Sequence, residues 1–218
     1  MNTETALMKL TGDAEIRQQF LEMTHLYDAA IREVRTKLEI LDREFSIRYA
    51  SNPIHHIDSR LKSPKSIIEK LERKGWPVSI ESAEAHLMDI AGIRVVCNYI
   101  DDIYRLANLL VHQQDLELVT RKDYIQKPKP NGYRSLHLVL RVPVFLSSHT
   151  ELVPVEVQIR TIAMDFWASL EHQLRYKKDL PDEEAAAVAA ELADLAETAA
   201  DLDRRMQALR NYLDDGEE

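Results

Sequence analysis

Two stretches of this sequence alternate apolar and polar residues with a period of two, and each reads as a strand with one dry face and one chemically equipped face. From Leu152 to Thr161, the residues Val155, Val157 and Ile159 share one parity while Glu156, Gln158 and Arg160 share the other. From Ser135 to Val142, Leu136, Leu138, Leu140 and Val142 oppose Ser135, His137 and Arg141; the same parity carried back through the turn reaches Tyr133. A third run sets His56, Asp58, Arg60 and Lys62 against Ile57, Ser59 and Leu61. Strands of this kind want helices on one side only, which argues against a doubly wound fold.

The helical signals complete the plan. Ile16, Phe20, Met23, Tyr27, Ile31, Val34, Leu38, Leu41 and Phe45 form an apolar stripe that predicts a helix from Ala14 to Arg48, stopping near Ser51, Asn52 and Pro53. A strand from Ile54 to Lys62 follows, then a helix from Pro64 to Lys74 ahead of Gly75. Further on come a strand at Ile93 to Cys97, a helix at Asp102 to Gln113, a strand at Leu116 to Tyr124 and a loop at Gln126 to Gly132. After Arg160 the chain turns helical to Lys178, breaks at Pro181 and resumes. The final helix carries Val188, Leu192, Leu195, Ala199, Leu202, Met206, Leu209 and Leu213 as a heptad seam, expected to pack on the N-terminal helix and available to a subunit interface. Strands alternating with helices make an α+β (mixed α/β) sheet domain the natural class.

Charge is distributed unevenly. The net charge is -9, yet residues 179 to 218 hold 13 acids against Arg204, Arg205 and Arg210, so the remainder is close to neutral. Within that remainder, bases gather at Arg60 to Lys74 and Arg121 to Arg141, beside the polar strand faces, where an anionic ligand is favoured. The single cysteine, Cys97, allows no intrachain disulfide, and the absence of any Cys-x-x-Cys pair removes the strongest zinc signals, which suits a reducing, cytoplasmic setting. No stretch reads as a signal peptide or membrane span. Asp89 and Glu156 are the carboxylates next to polar faces, and oxygen donors without thiolates favour a hard cation such as Mg2+. Arg60, Lys62, Lys70, Arg73 and Arg94 would repel one another without an anion between them.

Four ordered motifs resemble a known family. RLKSPKSIIEKL (60 to 71), DIAGIRVVCNYIDDIY (89 to 104), DYIQKPKPNGYRSLHL (123 to 138) and EVQIRTIAMDFWASLEH (156 to 172) look like the synthetase domain of the RelA/SpoT group, in its stand-alone small alarmone synthetase form without a hydrolase domain. The resemblance spans residues 52 to 178, leaving a helical region at 1 to 51 and the acidic helix at 179 to 218. It implies a nucleotidyltransferase-like mixed sheet of about five strands, with helices on one face and long terminal helices flanking it. It also implies a stringent-response enzyme that moves the pyrophosphate of ATP onto the 3'-hydroxyl of GTP or GDP, giving (p)ppGpp and AMP.

The resemblance assigns the residues. Asp89 would hold Mg2+ on the ATP phosphates, and Glu156 would bind the same metal or act as base toward the 3'-hydroxyl. Lys62, Ser66, Lys70 and Arg73 would meet the ATP phosphates, the last three from one helix face. Arg60 and Arg94 would sandwich adenine. Tyr133 would stack on guanine, Lys129 and His137 would meet the acceptor's 5'-phosphates, with Lys122 as a weaker candidate, Gln158 would help to orient the nucleotide, and Asp165 would hydrogen-bond the guanine edge. Trp76, Phe166 and Trp167 read as packing residues. A ring-like homotetramer built through the terminal helices is implied as well, with no DNA and no membrane as partner. Two other readings stand beside the enzyme: a silent guanine-nucleotide or alarmone-binding regulator, and an RNA-binding or nucleotidyl-transferring protein. Intact Asp89 and Glu156 speak against the first, and the acidic overall balance against the second.

Overall fold

The structure, a computed structural model, describes residues 14–49, 51–176 and 181–214. Helix α1 (Ala14–Arg48) buries Met23, Tyr27, Ile31, Val34, Leu38 and Phe45 of the stripe read from the sequence and Ala30 beside them, while Ile16, Phe20 and Leu41 are partly buried. Strand β1 (Ile54–Leu61) leads to α2 (Pro64–Lys74), whose ends are set locally. Ser63 caps it by accepting from the Ser66 amide, Pro64 sits where no amide partner is needed, and Gly75 ends it in the left-handed region at φ 70°.

A short helix, α3 (Ile80–His86), follows, capped by Ser79 and absent from the sequence reading. Strand β2 (Ala91–Cys97) then precedes α4 (Ile100–Val111), which begins two residues earlier than its apolar pattern indicated. Its first turn carries Asp101 and Asp102, which suit a helix N-terminus. Strands β3 (Glu117–Asp123), β4 (Leu136–Phe145) and β5 (Thr150–Thr161) lead to α5 (Ile162–Tyr176) and α6 (Asp182–Asp214).

The five strands form one mixed sheet in the order β1-β2-β5-β4-β3. Only β2 and β5 run parallel; every other neighbouring pair is antiparallel. Leu136, Leu138, Leu140, Val155, Val157 and Ile159 join the buried side of α1 and α4 in one apolar core, together with Ile93 and Val95. The opposite sheet face stays polar, as the alternation required.

Two packing expectations are corrected. Helix α6 docks on α5 and α4, not on the N-terminal helix as expected. Its buried positions are Leu192, Ala196, Ala200 and Asp203, whereas Leu195, Leu202, Met206, Leu209 and Leu213 of the seam are exposed. Ala196 and Ala200 on the dry face let the backbones approach, so the larger seam residues other than Leu192 turn outward. Trp167 is buried as expected and Trp76 packs against the core, but Phe166 is 66% exposed and is no packing residue in this chain. With Ile162, Leu170 and Leu174 it forms an outward apolar stripe along α5.

Candidate active site

The strand register lays the polar parities into rows across the sheet, since directly opposite residues share a face. One row runs Asp58, Arg94, Gln158, His137, Lys122; the next runs Arg60, Gly92, Glu156, Val139, Thr120. Arg60 and Arg94 are diagonal neighbours in these rows, about 7 Å apart at that position in a sheet, a gap that admits a flat ring between two guanidinium groups. Both line a pocket with Asp89, Glu156 and Gln158 above Gly92, where the missing side chain leaves the floor open. The two acids singled out from the sequence therefore share one pocket.

Asp89 lies just before β2 and is reached from two other elements. Its Oδ2 accepts from Lys62 Nζ at 2.9 Å and pairs with Lys70 Nζ at 2.7 Å. Burial pushes its carboxyl up, but Lys70 and Lys62 outweigh that and hold it below the usual carboxylate range. Its Oδ1 is buried with no hydrogen-bond partner. An anionic oxygen left open is the position a hard cation takes. Among the described residues, no group of three or more His, Cys, Asp or Glu side chains is arranged as a metal cage. The open oxygen of Asp89, with Glu156 in the same pocket, fits Mg2+, which is commonly held by one or two carboxylates together with substrate phosphates.

Glu156 is held by two residues of the adjacent row, one on β4 and one on its own strand. Its Oε1 lies 3.2 Å from His137 Nδ1, and its Oε2 accepts from Gln158 Nε2 at 2.7 Å. Burial and the nearby Asp89 raise its carboxyl, while the hydrogen bond and charge of His137 and the Gln158 amide bring it down on balance. Helix α2 presents Ser66 and Lys70 from the side away from its buried Ile67, Ile68 and Leu71. Ser66 Oγ accepts from Ser63 Oγ at 2.9 Å, and Arg73, one turn beyond Lys70, is exposed.

A second cluster lies across the sheet. The Tyr133 hydroxyl sits 2.8 Å from His137 Nε2 and accepts from Arg160 Nη2 at 2.6 Å. Lys129 Nζ stands 4.6 Å from the ring centres of both Tyr124 and Tyr133. Asp165, at the start of α5, pairs with Arg160 Nη1 at 3.2 Å and with Arg94 Nη1 at 3.4 Å. It thus bridges the arginine of the pocket to the arginine of this cluster. Lys122 lies next to His137 by register but is exposed.

Two residues of this cluster, and Arg134 beside it, were not singled out as site residues from the sequence. Arg160, 5% exposed, donates to Tyr133, Gln158 Oε1 and Asp165 together and ties this cluster into one unit. Its signal was the polar parity of β5, which shows a face but not a partner. Tyr124 stands edge-on to His137 with ring centres 5.2 Å apart. Arg134 points to α6 rather than to the sheet.

The comparisons with known proteins meet this geometry. The family model described as the region found in RelA / SpoT proteins matches residues 59–180. The chain belongs to the RelA/SpoT family. This RelA/SpoT chain is 46% identical over 191 residues to GTP pyrophosphokinase YwaC of Bacillus subtilis, covering 87% of the chain and 89% of that protein. It is 36% identical over 194 residues to GTP pyrophosphokinase YjbM of the same organism, covering 88% of each. Among solved structures it resembles small alarmone synthetase 1 of Bacillus subtilis bound to its product pppGpp, with TM-score 0.81 and 35% identity over 89% of this chain and 98% of that one. The small alarmone synthetase 2 of that organism matches with TM-score 0.78 and 45% identity over 88% of this chain and 98% of that one.

Proposed function

We infer that this chain transfers the pyrophosphate of ATP to the 3'-hydroxyl of GTP or GDP, forming the alarmones pppGpp or ppGpp and releasing AMP. The observation that carries this reading is the convergence of Asp89 and Glu156 on one pocket, with an arginine pair on one side and Tyr133 on the other. A silent guanine-nucleotide binder needs neither acid.

The acceptor's 3'-oxygen attacks the β-phosphorus of ATP, the bond from that phosphorus to the bridging oxygen of the α-phosphate breaks, and AMP leaves. Glu156, ionised at neutral pH, takes the proton of the 3'-hydroxyl. Lys62 and Lys70 move from Asp89 to the β- and γ-phosphates, with Ser66 and Arg73 on the same helix side. Arg60 and Arg94 hold adenine between them. Tyr133 stacks on guanine, Lys129 and His137 meet its 5'-phosphates with Lys122 at the periphery, and Gln158 and Asp165 set its orientation. Little covalent work is left to the protein in such a transfer, so alignment and charge neutralisation carry the rate. Asp89, through its open oxygen, would hold Mg2+, with Glu156 as the alternative second ligand where it does not serve as base, and the ion would supply charge neutralisation on the phosphates.

Outward apolar stripes on α5 (Ile162, Phe166, Leu170, Leu174) and α6 (Leu195, Leu202, Met206, Leu209) support a homo-oligomer, for which a tetramer is the working assembly. No described helix is long and apolar enough to cross a membrane.

Incubation with ATP, GTP and Mg2+ followed by nucleotide chromatography tests the reading: AMP and a guanosine pentaphosphate are expected in equal amounts. Release of ADP or free phosphate without the pentaphosphate would refute it. Asp165 tests base recognition. Its two oxygens can accept from N1-H and the 2-amino group of guanine, whereas an amide offers one acceptor. Asp165→Asn is expected to lower the preference for GTP over ITP by about tenfold, the worth of one charge-assisted hydrogen bond. Unchanged discrimination in competition kinetics would remove Asp165 from that role.

A further inference from the structure

Helix α6 touches the acceptor side at the loop that carries Lys129 and Tyr133. That loop closes on itself: the Gly132 amide donates to the Lys129 carbonyl at 2.8 Å, and the Lys129 amide to the Tyr133 carbonyl at 3.2 Å. Gly132 holds φ at 86°, and a Cβ placed on it would lie 2.5 Å from Ala196 Cβ. The loop backbone therefore rests on α6 at a distance only glycine permits. Next to it, Arg134 bridges the two elements. Its Nη1 donates to the Gly132 carbonyl at 3.0 Å and to the Ala196 carbonyl at 3.3 Å, and its Nη2 reaches Glu197 Oε1 at 2.6 Å.

The ring of Tyr133 packs against the buried cluster of Trp167, Ala168, Leu192 and Ala196. Trp167 Nε1 donates to the Leu192 carbonyl at 2.9 Å and fixes α6 along its axis. None of these α6 groups faces the pocket of Asp89 and Glu156. Their contacts end on the residues that would present a guanine stack and a phosphate cation.

We propose that α6 is a positioning element for the acceptor nucleotide, with Ala196 and Glu197 holding the loop of residues 129–134 in the shape that presents Tyr133 and Lys129. This rests on the reading of that loop as the acceptor site. Arg134 keeps 11% of its side chain exposed and Glu197 keeps 63%, so the pair adds little to global stability. Its effect is local: it selects one loop conformation. Weakening it costs acceptor affinity and leaves the ATP side alone, which a general structural role would not do.

The test compares wild type, Glu197→Gln and Glu197→Lys. GTP affinity is read by calorimetry without ATP, KM for GTP and for ATP by chromatography, and Tm by thermal unfolding. Lysine sets a cation against Arg134, and like charges brought together cost enough for about a tenfold loss of GTP affinity and a matching rise in its KM. Glutamine keeps an accepting oxygen and is expected to stay within about threefold, while KM for ATP and Tm hold in both variants. A lysine variant with wild-type GTP affinity overturns the proposal. So does an equal loss toward ATP and GTP together with a lowered Tm. A wild-type chain that binds GTP but makes no AMP would sink the pyrophosphate-transfer reading alone, and the GTP affinities would still decide the role of α6.

Discussion

Glu156→Gln is expected to reduce AMP and alarmone formation by about a thousandfold, within the range that removing a general base typically costs. GTP binding is expected to survive. The substitution keeps the shape of the side chain and one accepting oxygen for His137 or Gln158, so the cross-sheet row of His137 and Gln158 has no reason to rearrange. What it removes is the negative charge. Burial alone would push this carboxyl up toward neutrality, but His137 and Gln158 keep it ionised, which places an anion beside Asp89 in the pocket. A structural role for that charge would show as lost folding stability; a chemical role shows as lost turnover with unchanged Tm. Single-turnover mixing of ATP with bound GTP, alongside calorimetry of GTP alone, separates the two. Turnover within tenfold of wild type would remove Glu156 from the chemical step.

The extent to which this was legible from the sequence differs by element. The bounds of α1 and α2 follow from local chemistry: a long apolar stripe that stops before Asn52 and Pro53, and a helix framed by Ser63, Pro64 and Gly75. Parity was enough to put Glu156, Gln158 and His137 on one sheet face, because a period of two leaves no other choice. Helix α3 was not legible; over seven residues its marks are the Ser79 cap and the buried Ser82 and Ala83. Strand order was not legible either, and without it the alignment of Arg94 with Gln158 and of Gly92 with Glu156 could not be drawn.

The seam of α6 shows a general limit. Its heptad of large apolar residues correctly marks a helix with an apolar stripe, but which stripe docks inside the chain is decided by close approach. Ala196 and Ala200 allow that approach, and Leu202 and Leu209 do not share in it. Likewise Arg134 meets Glu197 across 63 residues of sequence, a pairing that no local pattern encodes.

Arg160 is where the fold and the acceptor site depend on one side chain. Its Nη2 donates to Tyr133 at 2.6 Å and to Gln158 at 2.8 Å, and its Nη1 to Asp165 at 3.2 Å. Arg160→Met keeps much of the bulk and removes every donor. Asp165 retains Arg94, so the charge left behind is half compensated, and the expected loss is about 2–3 kcal/mol, below the 3–5 kcal/mol typical of a buried charge stripped of its partner. For a chain of this size that lowers Tm by about 5–10 °C. Because Tyr133 loses the charged one of the two partners of its hydroxyl and keeps only His137, KM for GTP is expected to rise about tenfold, the equivalent of one hydrogen bond to a charged group. Arg160→Lys preserves the charge but not the fork, since an ammonium cannot reach three divergent acceptors as a planar guanidinium does, so it should recover Tm further than it recovers KM. Thermal unfolding and steady-state kinetics on both variants read this directly. A methionine variant with unchanged Tm and unchanged KM would show that Tyr133 and Asp165 hold their places without Arg160.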